Sequence, residues 1–205
     1  MKDTYQTITE ASPEVLFKDR NSKFYGYAFP IKTEEEAAKH LEELRASHHK
    51  ARHWCYAWQI GKAEEDHHYR ANDDGEPSNS AGMPIYGQIQ SFDVTNILIV
   101  VVRYFGGVKL GVGGLINAYK TAAQMALESS NILKRTIDEV FVIKFDYPEM
   151  NKVMQVIKKN NLNVIDQKLE LDCRIYIAVR KSDVESIYTK FDNTYKVEIS
   201  GLEDQ

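Results

Sequence analysis

The sequence predicts a two-domain α+β protein, because helical and strand periodicities alternate along the chain and a second set of elements begins near Val140. A chain of 205 residues is long enough for two small domains. Its 43% hydrophobic and 27% charged residues are typical of a globular chain and argue against disorder. We place the domains at residues 1–134 and 138–205, with the boundary where Lys134-Arg135 and Asp138-Glu139 interrupt the apolar patterns.

The first domain begins with three short predicted strands, which we place at residues 5–9, 15–17 and 24–29. Thr33 and the acids at 34–36 form a capping box, which predicts a helix near 33–47. Residues 53–60 alternate between two faces and predict a strand, followed by a polar turn or loop at 61–68.

A buried strand and two helices complete this domain. Ile85, Ile89 and Phe92 recur at helical spacing, and Pro84 is tolerated there only within the first turn. Residues 95–103 are apolar and β-branched, which predicts a buried strand. The second helix has one apolar face, made by Leu115, Ile116, Tyr119, Ala122, Ala123, Ala126 and Leu127.

The second domain is predicted to have the ferredoxin-like order β-α-β-β-α-β. Its first three elements are a strand at 141–145, a helix from Met150 ending at Asn160-Asn161, and a strand from Leu162. They are followed by a strand at 169–179 with its odd residues on one face, a helix opened by a capping box at 182–185, and a strand at 195–199.

Composition limits the cellular setting and the partners. Cys55 and Cys173 are far apart, which favours a reducing compartment over a disulfide scaffold. The N-terminus lacks the apolar run of a signal peptide, and the longest apolar stretch, 97–102, is far shorter than the roughly 20 residues of a membrane span. We expect a cytoplasmic protein without membrane contact. Its net charge of −4 means that any RNA contact needs a local basic patch.

The segment 73–82, here called the acidic loop, carries three carboxylates within four residues, which repel one another. One interpretation is a metal or acid/base site, or a rigid loop that contacts a partner. The other is a solvated turn whose Ser and Asn residues cap the following helix. In either case the acidic loop would support the functional surface. The residues assigned to this supporting role are His53 and, within the loop, Asp73, Asp74, Gly75, Glu76, Ser78 and Ser80.

The segment 103–114, here called the glycine loop, holds five of the eleven glycines, and no acidic residue occurs from Val94 to Leu127. Such a backbone, at the start of a helix, can offer its N–H groups to an anion. The alternative is close packing of helix on sheet. The predicted anion- or RNA-binding residues are Arg103, Tyr104, Gly106, Gly107, Lys109, Gly111, Gly113, Gly114 and Lys120.

No known nucleotide or metal motif is present. Lys109 is followed by Leu110 rather than Ser or Thr, and Ile116 stands where a dinucleotide loop has glycine. The histidines, including His53, match no zinc spacing, and no nucleophile signature occurs. We therefore predict no catalytic residue, no metal and no cofactor.

Three motifs, at residues 52–55, 73–85 and 102–115, resemble those of the YigZ/IMPACT family over roughly residues 20–130, and the second domain resembles its bacterial branch. Asn79-Ser80 stands where the family usually has Gly-Thr. The resemblance implies a first domain like domain IV of elongation factor G, a fold shared with GHMP kinases, and a second domain like its domain V. The animal members inhibit a pathway that restrains translation during starvation, using an added RWD domain for which this chain has no room, so that partner is not expected.

Three functional hypotheses follow. The first is a noncatalytic, translation-associated regulator that binds RNA or the ribosome through the glycine loop. The second is an enzyme acting on a phosphorylated small molecule, with a divalent ion or base in the acidic loop. The third is a protein-binding module that uses the sheet of the second domain.

Overall fold

A computed structural model describes residues 2–201 of the chain. The described residues divide into two compact units, one formed by Thr4–Arg135 and the other by residues 136–201 together with residues 2 and 3. No helix among the described residues is long and apolar enough to cross a membrane.

The first unit is built on a five-stranded sheet with the order β2-β3-β6-β4-β5, in which every neighbouring pair is antiparallel. Strand β1 pairs separately with β7. The strands are β1 Thr4–Ile8, β2 Val15–Asp19, β3 Ser22–Pro30, β4 His53–Ile60, β5 His68–Asn72, β6 Ile97–Tyr104 and β7 Ile132–Thr136. The helices are α1 Glu34–Ser47, α2 Gly82–Ser91 and α3 Gly111–Glu128.

Both faces of this sheet are covered, so its central strand β6 is apolar on both sides. Helices α2 and α3 cover one face, where they pack against Ile97, Ile99 and Val101 of β6. Helix α1 covers the other face, where Leu98, Val100 and Val102 lie. This explains why the continuous apolar run of β6 shows no alternation.

Helix α1 begins where its capping box predicts. The Thr33 Oγ1 accepts a 3.3 Å hydrogen bond from the Glu36 N–H, and a Glu36 carboxylate oxygen accepts a 2.6 Å bond from the Lys32 N–H. These bonds satisfy amides that the first helical turn leaves unpaired. The prediction of this helix is confirmed.

The second unit has the predicted order of elements and an antiparallel four-stranded sheet, β11-β8-β10-β9. Its core is formed by one face of this sheet and the two helices. The elements are β8 Asp138–Asp146, α4 Met150–Lys159, β9 Asn163–Lys168, β10 Asp172–Arg180, α5 Val184–Asp192 and β11 Val197–Gly201.

Several local predictions were wrong. Strands β5 and β7 were not predicted, because β5 is exposed and polar at one edge of the sheet and β7 is short and carries the charges read as a boundary. Leu169 and Leu171 do not belong to the predicted strand at 169–179, since they lie in the β9–β10 connection, and Leu171 is 91% exposed. The second capping box is absent, because a 3₁₀ turn at Lys181–Asp183 precedes α5 and Asp183 makes no side-chain cap bond.

We predict opposite effects of alanine at two glycines of the first unit. A Cβ at Gly26 of β3 would lie 2.6 Å from the Ala122 carbonyl oxygen of α3, whereas a Cβ at Gly87 of α2 would meet nothing within 4 Å. Gly26→Ala should lower the free energy of unfolding by about 1–3 kcal/mol through overpacking. Gly87→Ala should raise it by up to about 1 kcal/mol through helix propensity. Urea unfolding of both variants tests this close packing, and equal effects at the two sites would contradict it.

Candidate functional site

The alternation of β6 directs its last residues to opposite faces of the sheet. Arg103 lies on the α2/α3 face and is 5% exposed, whereas Tyr104 lies on the α1 face and is half-buried. Arg103 therefore does not present its charge to solvent. Its guanidinium packs 5.5 Å from the ring centres of Phe24 and Phe105.

The partner of Arg103 is Glu76 of the acidic loop. An Arg103 Nη1 lies 2.5 Å from the Glu76 Oε1, and the two side chains are 7% and 4% exposed. The Tyr119 hydroxyl of α3 donates a 2.8 Å bond to the same oxygen, and the His53 Nε2 lies 4.0 Å away. A carboxylate this deeply buried is stable only when charged and polar partners surround it. Glu76 thus joins the acidic loop, β6 and α3 at one point.

Asp73 fixes the start of α2 rather than facing a ligand. One of its carboxylate oxygens accepts the N–H groups of Ala81 and Gly82 at 2.9 and 2.8 Å, and the other accepts the Asn79 N–H at 2.8 Å. The interpretation in which Ser and Asn residues cap this helix is therefore wrong, because the Asp73 carboxylate accepts its first amides. The Ser80 hydroxyl is buried and donates to the Pro77 carbonyl, whereas Ser78 is exposed.

The carboxylate of Asp74, like that of Asp73, accepts hydrogen bonds from groups of the first unit. Its two carboxylate oxygens accept bonds from the Trp54 N–H at 2.7 Å and from Arg45 at 2.9 Å. Its carbonyl accepts a 2.9 Å bond from the His53 Nδ1, which places the proton on that nitrogen. Gly75 follows with a φ of 86°, a left-handed conformation that favours glycine. The carboxylates of Asp73, Asp74 and Glu76 are thus all used inside the first unit.

Asn79 also takes a left-handed backbone conformation, with a φ of 59°. Asn tolerates such a φ better than most other residues, so this loop conformation does not require glycine at residue 79.

The thiol of Cys55 lies beside this cluster but is not an activated nucleophile. Burial raises the pKa of Cys55 and, more strongly, that of Tyr119, so both groups stay protonated. The thiol donates to the Asp73 carbonyl at 3.0 Å. Within residues 2–201, no group of three or more His, Cys, Asp or Glu side chains could hold a metal ion.

The five glycines of the glycine loop fall into two groups. A Cβ at Gly106 would lie 2.1 Å from the Asn21 backbone, and one at Gly114 would lie 2.9 Å from the Leu110 Cβ, so these two glycines serve packing. Gly107, Gly111 and Gly113 would meet nothing within 4 Å, and the first two have φ values of 88° and 75°. Close packing therefore accounts for Gly106 and Gly114, whereas the space beside Gly107, Gly111 and Gly113 is open.

Helix α3 starts without any internal cap for its first amides. Leu110, at the N-cap position, makes no side-chain hydrogen bond, and the first turn contains no acidic residue. Because these amides have no partner within the helix, this end carries partial positive charge that faces open space beside Gly111 and Gly113.

The fold brings to this loop a set of cations that the sequence patterns did not indicate. The tip of the β2–β3 hairpin, residues 18–23, is here called the basic hairpin. The Gly106 N–H donates to the Ser22 Oγ at 3.1 Å, and an Arg20 Nη1 donates to the Lys109 carbonyl at 3.4 Å. Lys18 lies directly opposite Lys23 across the hairpin. Three cations within six residues are the sequence signal that could have identified it.

The predicted residues therefore separate into two adjoining places. Arg103, His53 and the acidic-loop carboxylates form the buried cluster, and Lys109 with the open glycines lies at the exposed loop. Lys120 is exposed on α3, about 14 Å along the helix axis from Gly111.

Tyr104 ends a hydrogen-bonded chain on the α1 face. The Tyr27 hydroxyl donates to the Glu14 carboxylate and lies 2.7 Å from the His48 Nε2, and the His48 Nδ1 lies 3.0 Å from the Tyr104 hydroxyl. Burial lowers the pKa of His48, with an opposing effect from Glu14. A neutral His48 then donates from Nε2 and accepts from Tyr104 at Nδ1. The ring of Tyr25 packs 5.7 Å from that of Tyr104, which completes an aromatic surface.

These features define a class, a two-unit α+β protein whose first unit carries an uncapped glycine-rich helix start next to a buried ion pair. A family model described as the Impact N-terminal domain matches residues 20–127. The chain belongs to the IMPACT family, which confirms the resemblance identified from the three motifs.

Two relatives match along most of the chain. IMPACT family member YvyE of Bacillus subtilis is 30% identical over 188 residues, which cover 91% of this chain and 85% of that protein. IMPACT family member YigZ of Escherichia coli is 28% identical over 183 residues, covering 89% and 90%. A crystal structure of a hypothetical protein covers 100% of both chains with a TM-score of 0.73 and 24% identity, which supports the fold alone.

We predict that Arg103→Met is strongly destabilising. The substitution leaves the buried Glu76 carboxylate without its cation, a loss worth about 3–5 kcal/mol. Adding Glu76→Gln should restore part of this stability, because the amide oxygen still accepts the Tyr119 bond without a buried charge. Denaturant unfolding of both variants tests the pair, and a double variant no more stable than Arg103→Met would contradict it.

We also predict that His48 contributes stability that depends on pH. Its folded-state pKa is lowered, so the contribution is present above the unfolded pKa of about 6.5 and is lost as pH falls through the folded pKa. The His48 ring should titrate below the ordinary value by NMR, and the stability difference between the wild type and His48→Gln should shrink at low pH. A midpoint at or above about 6.5 would contradict this.

Proposed function

We propose that this chain is a noncatalytic, translation-associated regulator that binds RNA, free or within the ribosome. The proposed contact surface consists of the glycine loop and the basic hairpin. The observation that carries the proposal is the combination of three glycines with open space at their Cβ positions and exposed cations in contact with the same loop. Membership of the IMPACT family supports the link to translation.

The backbone of the glycine loop supports phosphate binding. A phosphate can approach the amides of Gly111 and Gly113 more closely than side chains would permit, because no side chain of the first unit fills that space. The positive end of the α3 dipole favours an anion at the same place. Lys109 is exposed beside these amides and adds a full charge.

The basic hairpin supplies further charge. Lys18 and Lys23 face each other directly on neighbouring strands, an arrangement in which like charges destabilise the hairpin unless an anion neutralises them. Lys23 is also opposite Tyr104 in the β3–β6 register. A polyanion that follows this edge of the sheet would relieve the repulsion between the two lysines. It would also gain contacts with Arg20 and Lys109, which are neighbours because an Arg20 Nη1 donates to the Lys109 carbonyl oxygen at 3.4 Å.

Aromatic rings next to these cations favour RNA over a simple anion. Phe105 is 51% exposed, and its ring packs against the Arg103 guanidinium. Tyr104 and Tyr25 present half-buried rings on the α1 face, beside Lys23. Cationic grooves with exposed aromatic rings are typical of single-stranded nucleic-acid binding, in which bases stack on the rings.

In this proposal the acidic loop positions groups and takes no part in chemistry. Its carboxylates accept bonds from amides and cations of the first unit, which leaves them little capacity to hold a divalent ion. Arg103 acts by holding Phe105 and the start of the glycine loop in place. The analogy of the two domains to domains IV and V of elongation factor G is part of the same proposal.

We predict that the double variant Lys23→Glu/Lys109→Glu binds a single-stranded 12-nucleotide RNA at least about tenfold more weakly than the wild type, because charge-assisted contacts are lost. The slope of log K against log salt should become shallower by about 0.7 for each lost phosphate contact. Fluorescence anisotropy and co-sedimentation with ribosomes measure the effect.

The matched control is Lys158→Glu/Lys159→Glu, which reverses two exposed charges at the end of α4 in the second unit. It should bind RNA like the wild type. The proposed function fails if the wild type associates with neither RNA nor ribosomes at low salt, or if both double variants lose binding equally.

A further inference from the structure

A groove lies at the opposite end of the five-stranded sheet from the glycine loop. It is formed where β3 and β4 end and β6 begins, next to β1 and the first turns of α1. Strand β6 runs from Ile97 near the groove to Tyr104 at the glycine loop, a length of about 23 Å. The groove is therefore a separate place on the first unit, independent of the surface proposed to bind RNA.

The floor of the groove is apolar and its size suits a small molecule. Ile8, Ile31 and Ile60 are buried beneath it, and Tyr5 and Pro30 form part of its wall. Its volume is about 950 Å³, at the upper end of the roughly 300–1,000 Å³ that is usual for ligand sites.

The rim of the groove is strongly basic. Lys32, Lys39, Lys62 and Arg135 line it, against a single carboxylate, that of Glu36. One Glu36 oxygen already accepts the Lys32 N–H in the helix cap. Across residues 2–201, none of the four cations makes an ion pair within 4 Å. Four cations and one carboxylate give the rim a net positive charge, which attracts anions although the whole chain has a net charge of −4.

The turn that carries Lys62 is held rigidly. The Gly61 N–H donates to the Asn96 Oδ1 at 3.0 Å, and the Gly61 carbonyl accepts from the Thr95 hydroxyl at 2.7 Å. Gly61 has a φ of 121°, and a Cβ there would lie 2.4 Å from the Asp66 carbonyl oxygen, so only glycine fits. The backbone turn next to Lys62 is thus tied to Thr95 and Asn96, which directly precede β6.

We propose that this groove binds a nucleoside phosphate. The phosphates would contact the cationic rim, since Lys and Arg are the residues that bind phosphate in proteins. The sugar and base would lie over the isoleucine floor, beside the ring of Tyr5. Such a ligand can be a free nucleotide or the phosphorylated end of an RNA chain, and both present the same chemistry.

The experiment measures binding of AMP, adenosine and a 5′-phosphorylated RNA hexamer to the whole protein by isothermal titration calorimetry. At least one phosphorylated probe should bind at least about tenfold more tightly than adenosine, because only it can use the cationic rim. Lys39→Glu/Lys62→Glu should remove that advantage. The control Lys158→Glu/Lys159→Glu should retain it. Lys23→Glu/Lys109→Glu should retain the advantage of AMP, which separates this site from the proposed RNA surface.

If AMP binds more tightly than adenosine and this difference depends on Lys39 and Lys62, the ligand is a free nucleotide. If only the hexamer binds more tightly in this way, the ligand is an RNA end. All the substituted lysines are exposed, and circular dichroism checks the fold of each variant. If the reversal at residues 39 and 62 perturbs the fold, Lys39→Gln/Arg135→Gln repeats the measurement with smaller changes. The proposal is overturned if neither phosphorylated probe binds more tightly than adenosine. It is also overturned if folded groove variants bind the phosphorylated probe as tightly as the wild type does.

Discussion

The first unit is organised by the buried ion pair between Glu76 and Arg103. Arg103 is the last buried residue of β6, and Glu76 contacts it from the acidic loop while Tyr119 approaches from α3. Three segments distant in sequence are thereby fixed at one point, and neither charge can move without leaving the other buried and unpaired. Because Tyr104 and the glycine loop follow directly after Arg103, the pair also determines where the exposed surface begins.

The fold brings two groups of cations to opposite ends of one sheet in this acidic protein. At one end, Lys109 and the basic hairpin adjoin the uncapped start of α3. At the other end, cations from α1, the Gly61 turn and Arg135 converge on a groove. In both places the charge lies next to apolar or aromatic surface, and this combination suits ligands that join phosphate to a flat ring. Net charge alone conceals such groups of cations, because it averages over the whole surface.

Much of the fold could be predicted because its signals are local. The capping box of α1, the apolar run of β6 and the alternation within β4 and β10 each depend on neighbours along the chain. The misses, β5 and β7, are short strands whose residues are mostly exposed, so hydrophobic periodicity cannot mark them. They become strands because a partner edge supplies their hydrogen bonds, and that information is not contained in either segment.

The candidate site divides in the same way. The sequence by itself determined that residues 103–114 combine glycines and cations at the start of a helix, since composition and order are enough to establish this. Only the tertiary structure decided what each residue does there. In the folded protein Arg103 pairs with the buried Glu76. Gly106 packs closely against the Asn21 backbone, whereas the space beside Gly113 is open. Arg20 contacts Lys109 although 89 positions of sequence separate them. The physical reason is that charge pairing and close approach depend on distance in space, which only the folded sheet establishes.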